Sequence, residues 1–404
     1  MAQPVSELEL PSLDVVGLQR QEAIEAIEAA RAVHWLARNE LGYTVTRLAD
    51  VTAVLRDQRF HSGLSIIEQS PELQGSSPGG QRRESILTME GAGHARLRRL
   101  VAPAFTPASA NRLRPTMQAV VGELVDRVVE RGACELVADV CEPYPIPIIC
   151  ELLGAPPEDW KLFSGWATDI FRIFNNNLAE DLPLIERADQ ELTAYMNDMI
   201  AERRADPRDD LLSDLIAIEE AGDRLSTDEM AMLAQAVLMA GTDTTRNQLA
   251  CSVALFTEHP DQWALLAERP ELAARAVEES MRYLGAVRGT GRFASEDIVY
   301  RDVLFPQGTL VVTSLAGANR DPDAFEEPDV FDITRERGTA QMTFGSGIHF
   351  CMGAALARAE LQEALPLLAR RMPDLERNGD IEWKPSSFGI WGPARLPLRF
   401  TPTA

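Results

Sequence analysis

The sequence is poor in cysteine, short of basic charge and free of long apolar runs. Its 404 residues include five cysteines, Cys134, Cys141, Cys150, Cys251 and Cys351. The count is odd and no two form a CxxC pair, which excludes a disulfide framework and a zinc ribbon. Lys and Arg number 39 against 62 Asp and Glu, a net charge of −23. Such a chain repels polyphosphate, so nucleic acid is excluded as a partner. The best apolar run, Met230 to Gly241, is 12 residues long and contains Gln235. That is short of the roughly 18 apolar residues of a membrane span. The first 19 residues carry no Lys or Arg and no apolar core follows them, so no secretory signal is read and a cytoplasmic protein is expected.

What is present fits a globular protein. The apolar fraction is 45% and the charged fraction 25%, which excludes a collagen, an acidic disordered chain and a disulfide miniprotein. The length allows two or three domains, or one large one, with a core deep enough to enclose a cofactor.

Up to about residue 285 the pattern is helical. Gln19 to Asn39 is amphipathic, with Ile24, Ile27 and Ala30 on one face. Ser62 to Gln81 reads as a long loop. Helical pattern returns at Gly93 to Pro103, Ala108 to Arg131, Ile148 to Leu153, Pro157 to Asn175 and Pro183 to Arg204. Three prolines between Cys141 and Pro147 argue against a helix running through them. Ser226 with Glu229 forms a capping box that opens the longest helix, expected to reach about Glu258 and to be central and buried. After Gly285 come short strands: around Phe293, Ile298 to Tyr300, Val303 to Phe305 and Thr309 to Thr313. Pro306-Gln307-Gly308 fits a hairpin turn.

Three segments carry chemistry. In Phe344-Gly345-Ser346-Gly347-Ile348-His349-Phe350-Cys351-Met352-Gly353 two glycines precede a cysteine and a third follows. Glycines let the backbone turn and approach another group closely. A helix starting near Gly353 aims its N-terminus at the cysteine and favours a thiolate, which binds soft metals. A buried structural cysteine leaves the glycines unexplained. A dinucleotide loop lacks its third glycine, zinc lacks a second ligand pair, and His349 is too near in sequence for a nucleophile's base. The residues favour a single-thiolate metal or haem site, with a buried structural cysteine as the alternative. In Ala240-Gly241-Thr242-Asp243-Thr244-Thr245 an acid and an alcohol stand together inside the long helix, beside a glycine that costs helix stability. Either they relay protons at a bend, or they form a solvated face. Glu279 and Arg282, three apart, can pair on a helix.

Taken in order, the three segments resemble the cytochrome P-450 superfamily of haem-thiolate monooxygenases. The haem-loop pattern FGxGxHxCxG is met at every fixed position from Phe344 to Gly353. AGx(D/E)TT is met by Ala240 to Thr245, and ExxR by Glu279 and Arg282. The resemblance runs from about residue 20 to the end. It implies a mainly α fold with a small β region, in one domain with a long central helix over a buried haem b. It makes Cys351 the iron ligand, and Asp243 and Thr244 the pair that feeds protons to dioxygen. Gly241 makes room for that oxygen. Phe344 and Gly353 belong to the haem loop. His94, Arg98, Arg292 and His349 match propionate partners. Glu279 and Arg282 match a structural pair, with Arg335 as a third member. One departure stands out: Glu90-Gly91-Ala92-Gly93 replaces the family's frequent Asp-Pro-Pro before His94.

The same resemblance places Ile86, Leu87, Ala236, Met239, Val287, Arg288 and Ile390 in the substrate pocket, with Trp391 closing it. An apolar organic substrate is expected. Arg288 either binds a substrate carboxylate or points to solvent or a local acid. Arg82 and Arg83 raise the same question. The implied electron source is NAD(P)H through a separate reductase and ferredoxin, docking on a patch of Arg96, Arg99, Arg112, Arg114 and Arg358. A monomer that hydroxylates its substrate is expected, with epoxidation or dealkylation also open. The alternatives are peroxide or dehydration chemistry on the same fold, and a non-catalytic haem or gas-sensing protein. The intact Asp243-Thr244 pair argues against both.

Overall fold

Local sequence signals start and stop most of the elements. The computed structural model describes residues 2–64, 85–172, 178–220, 225–336, 338–384 and 390–403. The helices that matter to the site are labelled in chain order. They are α1 (Arg20–Val33), α2 (Leu48–Arg56), α3 (Gly91–Val101), α4 (Pro145–Leu153), α5 (Leu178–Ala205), α6 (Thr227–Phe256), α7 (Ala273–Tyr283), α8 (Leu315–Ala318) and α9 (Ala354–Arg371). Among the described residues no helix is long and apolar enough to cross a membrane.

The capping box forms as expected. Ser226 Oγ accepts from the Glu229 amide at 3.1 Å, and Glu229 accepts from the Ser226 amide at 2.9 Å. Helix α6 then runs 30 residues, about 45 Å at 1.5 Å per residue. Every residue from Asn247 to Phe256 is buried. A helix wrapped on all sides is the centre of a core, and the largest hydrophobic cluster contains it. The helix is unbroken through Gly241. The Thr242 and Thr244 hydroxyls donate to the carbonyls of Met239 and Ala240 at 3.3 and 2.7 Å, so the polar segment serves the helix's own backbone rather than breaking it.

Five strands form the larger sheet: β1 (Leu36–Asn39), β2 (Gly42–Val45), β3 (Phe60–Ser62), β4 (Gly289–Ala294) and β5 (Leu310–Ser314), in the order β1-β2-β5-β4-β3. The β2–β5 pairing is parallel and the rest antiparallel. This corrects the expectation for residues 19–39. Helix α1 ends at Val33, and Leu36–Asn39 pairs with Gly42–Val45 as a strand. A tight turn, in which Asn39 Oδ1 accepts from the Leu41 and Gly42 amides, makes this stretch a hairpin, and the pairing of Gly42–Val45 with Leu310–Ser314, more than 260 residues on, extends it into a sheet that helical periodicity does not show. The hairpin also moves. Ile298–Tyr300 and Val303–Phe305 pair around Arg301 and Asp302, whose φ values of 47° and 61° suit a two-residue turn. Pro306 to Gly308 instead leads from one sheet to another.

Prolines explain two more differences. Helix α4 starts within the proline segment, because Pro145 and Pro147 fall in its first turn, where amide hydrogens have no partner inside the helix. Helix α5 starts at Leu178 and carries Pro183 inside it.

The buried pair of α7 organises the irregular chain that follows it. Arg282 meets Glu279 through two hydrogen bonds of 2.8 Å. It also donates to the carbonyls of Asn319, Pro328 and Val330. Arg335 reaches Glu279 at 3.2 Å. Removing Glu279 strands a buried guanidinium. Glu279→Ala should therefore destabilise the protein by about 3–5 kcal/mol in denaturant unfolding, and unchanged stability would reject this account.

Glu360 of α9 gives a pH prediction. Burial pushes its carboxyl up to about 8 from 4.5, against a smaller opposite pull from the Thr245 hydroxyl. Between those values the folded state holds a proton that the unfolded state has released. Stability should fall through that window as pH rises, by about 1.4 kcal/mol per unit from this group. The window closes below 4.5 and above about 8. Comparing wild type with Glu360→Gln by unfolding at pH 5 to 8 should show a flatter profile in the variant.

Candidate functional site

The cysteine loop is shaped by its glycines. Gly345 and Gly347 have φ of 70° and 75°, a region that side chains rarely adopt. At Gly347 a Cβ would also run into the Leu55 carbonyl of α2. The Cys351 amide donates to the Phe344 carbonyl at 2.9 Å and the Phe350 amide to Gly347 at 3.1 Å, which folds the loop over itself. Gly353 is the N-cap of α9. The Arg358 guanidinium lies 4.4 Å from the centre of the Phe344 ring and pairs with Glu278 at 2.5 Å.

Cys351 lines a cavity of about 320 Å³ between α6, α9, α3 and β4. None of the other four cysteines lines it; all four are buried elsewhere. Burial pushes the Cys134, Cys150 and Cys251 thiols up to about 12. At Cys351 burial also raises the pKa, but the Gly353 amide, Arg98 and Arg358 oppose it. Those three groups favour a thiolate.

Opposite the loop, α6 presents Leu233, Ala236, Val237, Ala240, Gly241 and Thr244. These positions recur every three or four residues and form one helical face. Expected Met239 does not line the cavity. Five residues from Thr244, it points about 140° away. Leu233 and Val237 were missed, although counting back from Thr244 by helical turns finds them. Gly241 lines the cavity, but the Ile149 side chain of α4 fills the direction that its Cβ would take. The glycine serves close packing of α4 on α6.

Asp243 is one residue, about 100°, around the helix from Thr244. It faces a separate small cavity with Glu142, Thr168 and Thr242. There it pairs with Arg246 at 2.5 Å and lies 3.7 Å from Lys384. The acid and the alcohol therefore look into different spaces.

Cationic groups gather on one side of the main cavity. Arg98, Arg292 and His349 line it. Arg292 is buried, donates among the described residues only to Thr290 Oγ1 and the Gly291 carbonyl, and is brought down to about 10 by burial. Arg98 donates to the Phe350 carbonyl. The His94 ring stands 4.6 Å from that of His349, and its buried Nε2 has no hydrogen-bond partner among the described residues. Burial, His349 and Arg98 all lower the His94 pKa. Glu90, noted in the sequence only as a departure, accepts from His349 at 3.0 Å and from the Ser62 amide at 2.7 Å. Gly91 takes φ of 66° at the start of α3. The chain thus reaches His94 without the two prolines. An orphaned imidazole nitrogen and two arginines without an acid in contact fit a bound dianion. Apolar walls and a lone thiol fit a flat apolar body with a soft metal.

The remaining pocket assignments divide. Ile86, Leu87, Ala236 and Val287 line the cavity. Ile390 instead forms a β-bridge with Val287, and Trp391 stacks on Trp383 at 4.4 Å. Neither lines the cavity, and nor does Arg288. Arg288 lies 4.9 Å from the Trp391 ring centre and faces a second space, because neighbours in extended chain point opposite ways. It meets neither solvent alone nor a local acid, so a carboxylate role in the main cavity is withdrawn. Arg82 and Arg83 lie outside the described residues. In the basic patch, Arg96, Arg114 and Arg358 are held by Glu229, Glu363 and Glu278. Arg99 and Arg112 are exposed.

Comparison with known proteins agrees with this geometry. The family model described as Cytochrome P450 matches residues 160–372. The chain is 37% identical to nocardicin C N-oxygenase of Nocardia uniformis subsp. tsuyamanensis, over 88% of this chain and 89% of that protein. It is 37% identical to mycinamicin IV hydroxylase/epoxidase of Micromonospora griseorubida, over 89% of each. The crystal structure of CalO2 superposes with a TM-score of 0.87 at 30% identity, covering 95% of this chain and 97% of that one. A cavity with one thiol and a cationic rim, in a fold shared along nearly the whole chain with named oxygenases, leaves one conclusion: the chain belongs to the cytochrome P450 family and is a haem b-dependent monooxygenase.

Proposed function

We propose that this enzyme inserts one oxygen atom from dioxygen into an apolar organic substrate, hydroxylation being the main reaction. In this reading Cys351 would be the iron ligand, and His94, Arg98, Arg292 and His349 would hold the haem propionates. The observation that carries it is that Cys351 and Thr244 line one cavity. When bound, the haem supplies dioxygen binding and its reductive activation, with a thiolate ligand favouring O–O cleavage.

The protein's own groups do the rest. Arg358 and the Gly353 amide favour the thiolate. Thr244 holds its hydroxyl at the cavity wall through Ala240, where it can donate and accept protons. Asp243 supplies them from the far side of α6 and must first loosen from Arg246 and Lys384. The walls at Ile86, Leu233, Val237 and Val287 exclude water and select an apolar substrate. The named relatives act on nocardicin C and mycinamicin IV. These are different molecules, so they support oxygen insertion and not a shared substrate. Electrons come from NAD(P)H through a separate reductase and ferredoxin. Arg99 and Arg112 are the docking cations, since the other candidates are held by acids.

The reduced carbon monoxide complex should show a strongly red-shifted Soret band. Cys351→Ala, loaded with haem, should lose it; a retained band would remove Cys351 as ligand. Thr244→Ala should keep consuming NAD(P)H while product per NAD(P)H falls about tenfold or more, and Asp243→Asn should slow turnover roughly 100-fold. Unchanged coupling and rate, measured as product against NAD(P)H consumed, would dismiss the proton path.

A further inference from the structure

A second, smaller cavity lies between α1, α8 and the segment joining α7 to β4. Its wall carries Arg20, Arg31, Arg282, Arg288 and Arg320, with Glu28 as the one acid. Three of these arginines spend their charge outside the cavity. Arg20 pairs with Glu258 at 2.7 Å, Arg282 with Glu279 at 2.8 Å and Arg320 with Asp329 at 2.5 Å. Arg31 donates to the Gly317 carbonyl at 2.8 Å. The Arg288 carbonyl accepts from the Ala316 amide at 3.0 Å, but its guanidinium has no hydrogen bond or ion pair among the described residues and lies over the Trp391 ring. Arg20 keeps its Nη1 buried and without a partner. No hydrogen bond or ion pair joins Glu28 to either.

The Arg288 guanidinium and Arg20 Nη1, without partners among the described residues, thus belong to the wall of one small space. Arg288 is half-buried, and a charge drawn partly out of water favours a counter-charge. Burial lowers the Arg288 pKa, and nearby Arg20 and Arg320 lower it further, against an opposite pull from Cys251. The guanidinium is short of negative charge where it sits. The space is about 30 Å³, room for about two waters. That admits a small monovalent anion and excludes a bulky carboxylate.

We propose that this cavity binds a small inorganic anion, chloride under physiological conditions, between Arg288 and Arg20. The site is separate from the haem cavity but touches it. Val287, next to Arg288, lines both. The anion therefore holds the strand start that forms one wall of the substrate space.

The test uses haem-loaded enzyme in sodium chloride or sodium gluconate at equal ionic strength, gluconate being too large for the space. Thermal unfolding should occur about 2 °C or more higher in chloride. Arg59→Gln, at an exposed pair with Asp57, should keep that difference. Arg288→Met should lose it while retaining haem. If Arg288→Met does not load haem, Arg20→Met makes the same test. Equal midpoints in the two salts for wild type would overturn the proposal. So would a chloride effect that survives loss of the arginine.

Discussion

The bidentate contact between Arg282 and Glu279 is the constraint on which the site depends. Neither residue touches the haem cavity. Yet Arg282 gathers three carbonyls from residues 319 to 330, and Glu279 accepts from the Asp332 amide as well as from Arg335. That stretch has almost no regular structure to hold it. Asn319 then bonds both Thr343 and the Met342 amide. The cysteine loop begins one residue later. A buried charge pair is a poor source of net stability, but its many fixed directions can specify one path for an irregular chain.

The second constraint is electrostatic. The protein carries a net charge of −23, yet its main cavity gathers Arg98, Arg292 and His349. The acids that would neutralise these groups are kept away, apart from Glu90 against His349. Such isolation costs free energy unless an anionic group binds. Burial brings Arg292 down to about 10, well above neutral pH, so it stays charged and ready. The thiol side uses the same arrangement, with Arg98 and Arg358 favouring the thiolate that burial opposes.

Helix α6 separates the functions of neighbouring residues by rotation alone. Thr244 looks into the main cavity and Asp243 into another. An acid and an alcohol adjacent in sequence thus sit on two sides of one rod. On the extended chain before β4, Arg288 faces only the small cationic space, while Val287 borders both that space and the main cavity.

Contiguous sequence determined much of this protein. The turns of the cysteine loop, the capping box of α6, and the pairing of Glu279 with Arg282 need only residues within about one or two helical turns of each other. Their geometry follows from backbone sterics and local hydrogen bonds. The face of α6 that lines the cavity was also legible, because helical rotation is fixed, although Met239 was placed on the wrong side of it. Tertiary structure decided the rest. Gly42–Val45 lies inside a sheet because Leu310–Ser314, more than 260 residues on, pairs with it. Glu90 matters because His349, 259 residues on, lies 3.0 Å away. Ile149 fills the space beside Gly241, and Trp391 lies beneath Arg288. In each case a side chain's role depends on which distant element packs against it. No pattern within a single segment encodes that.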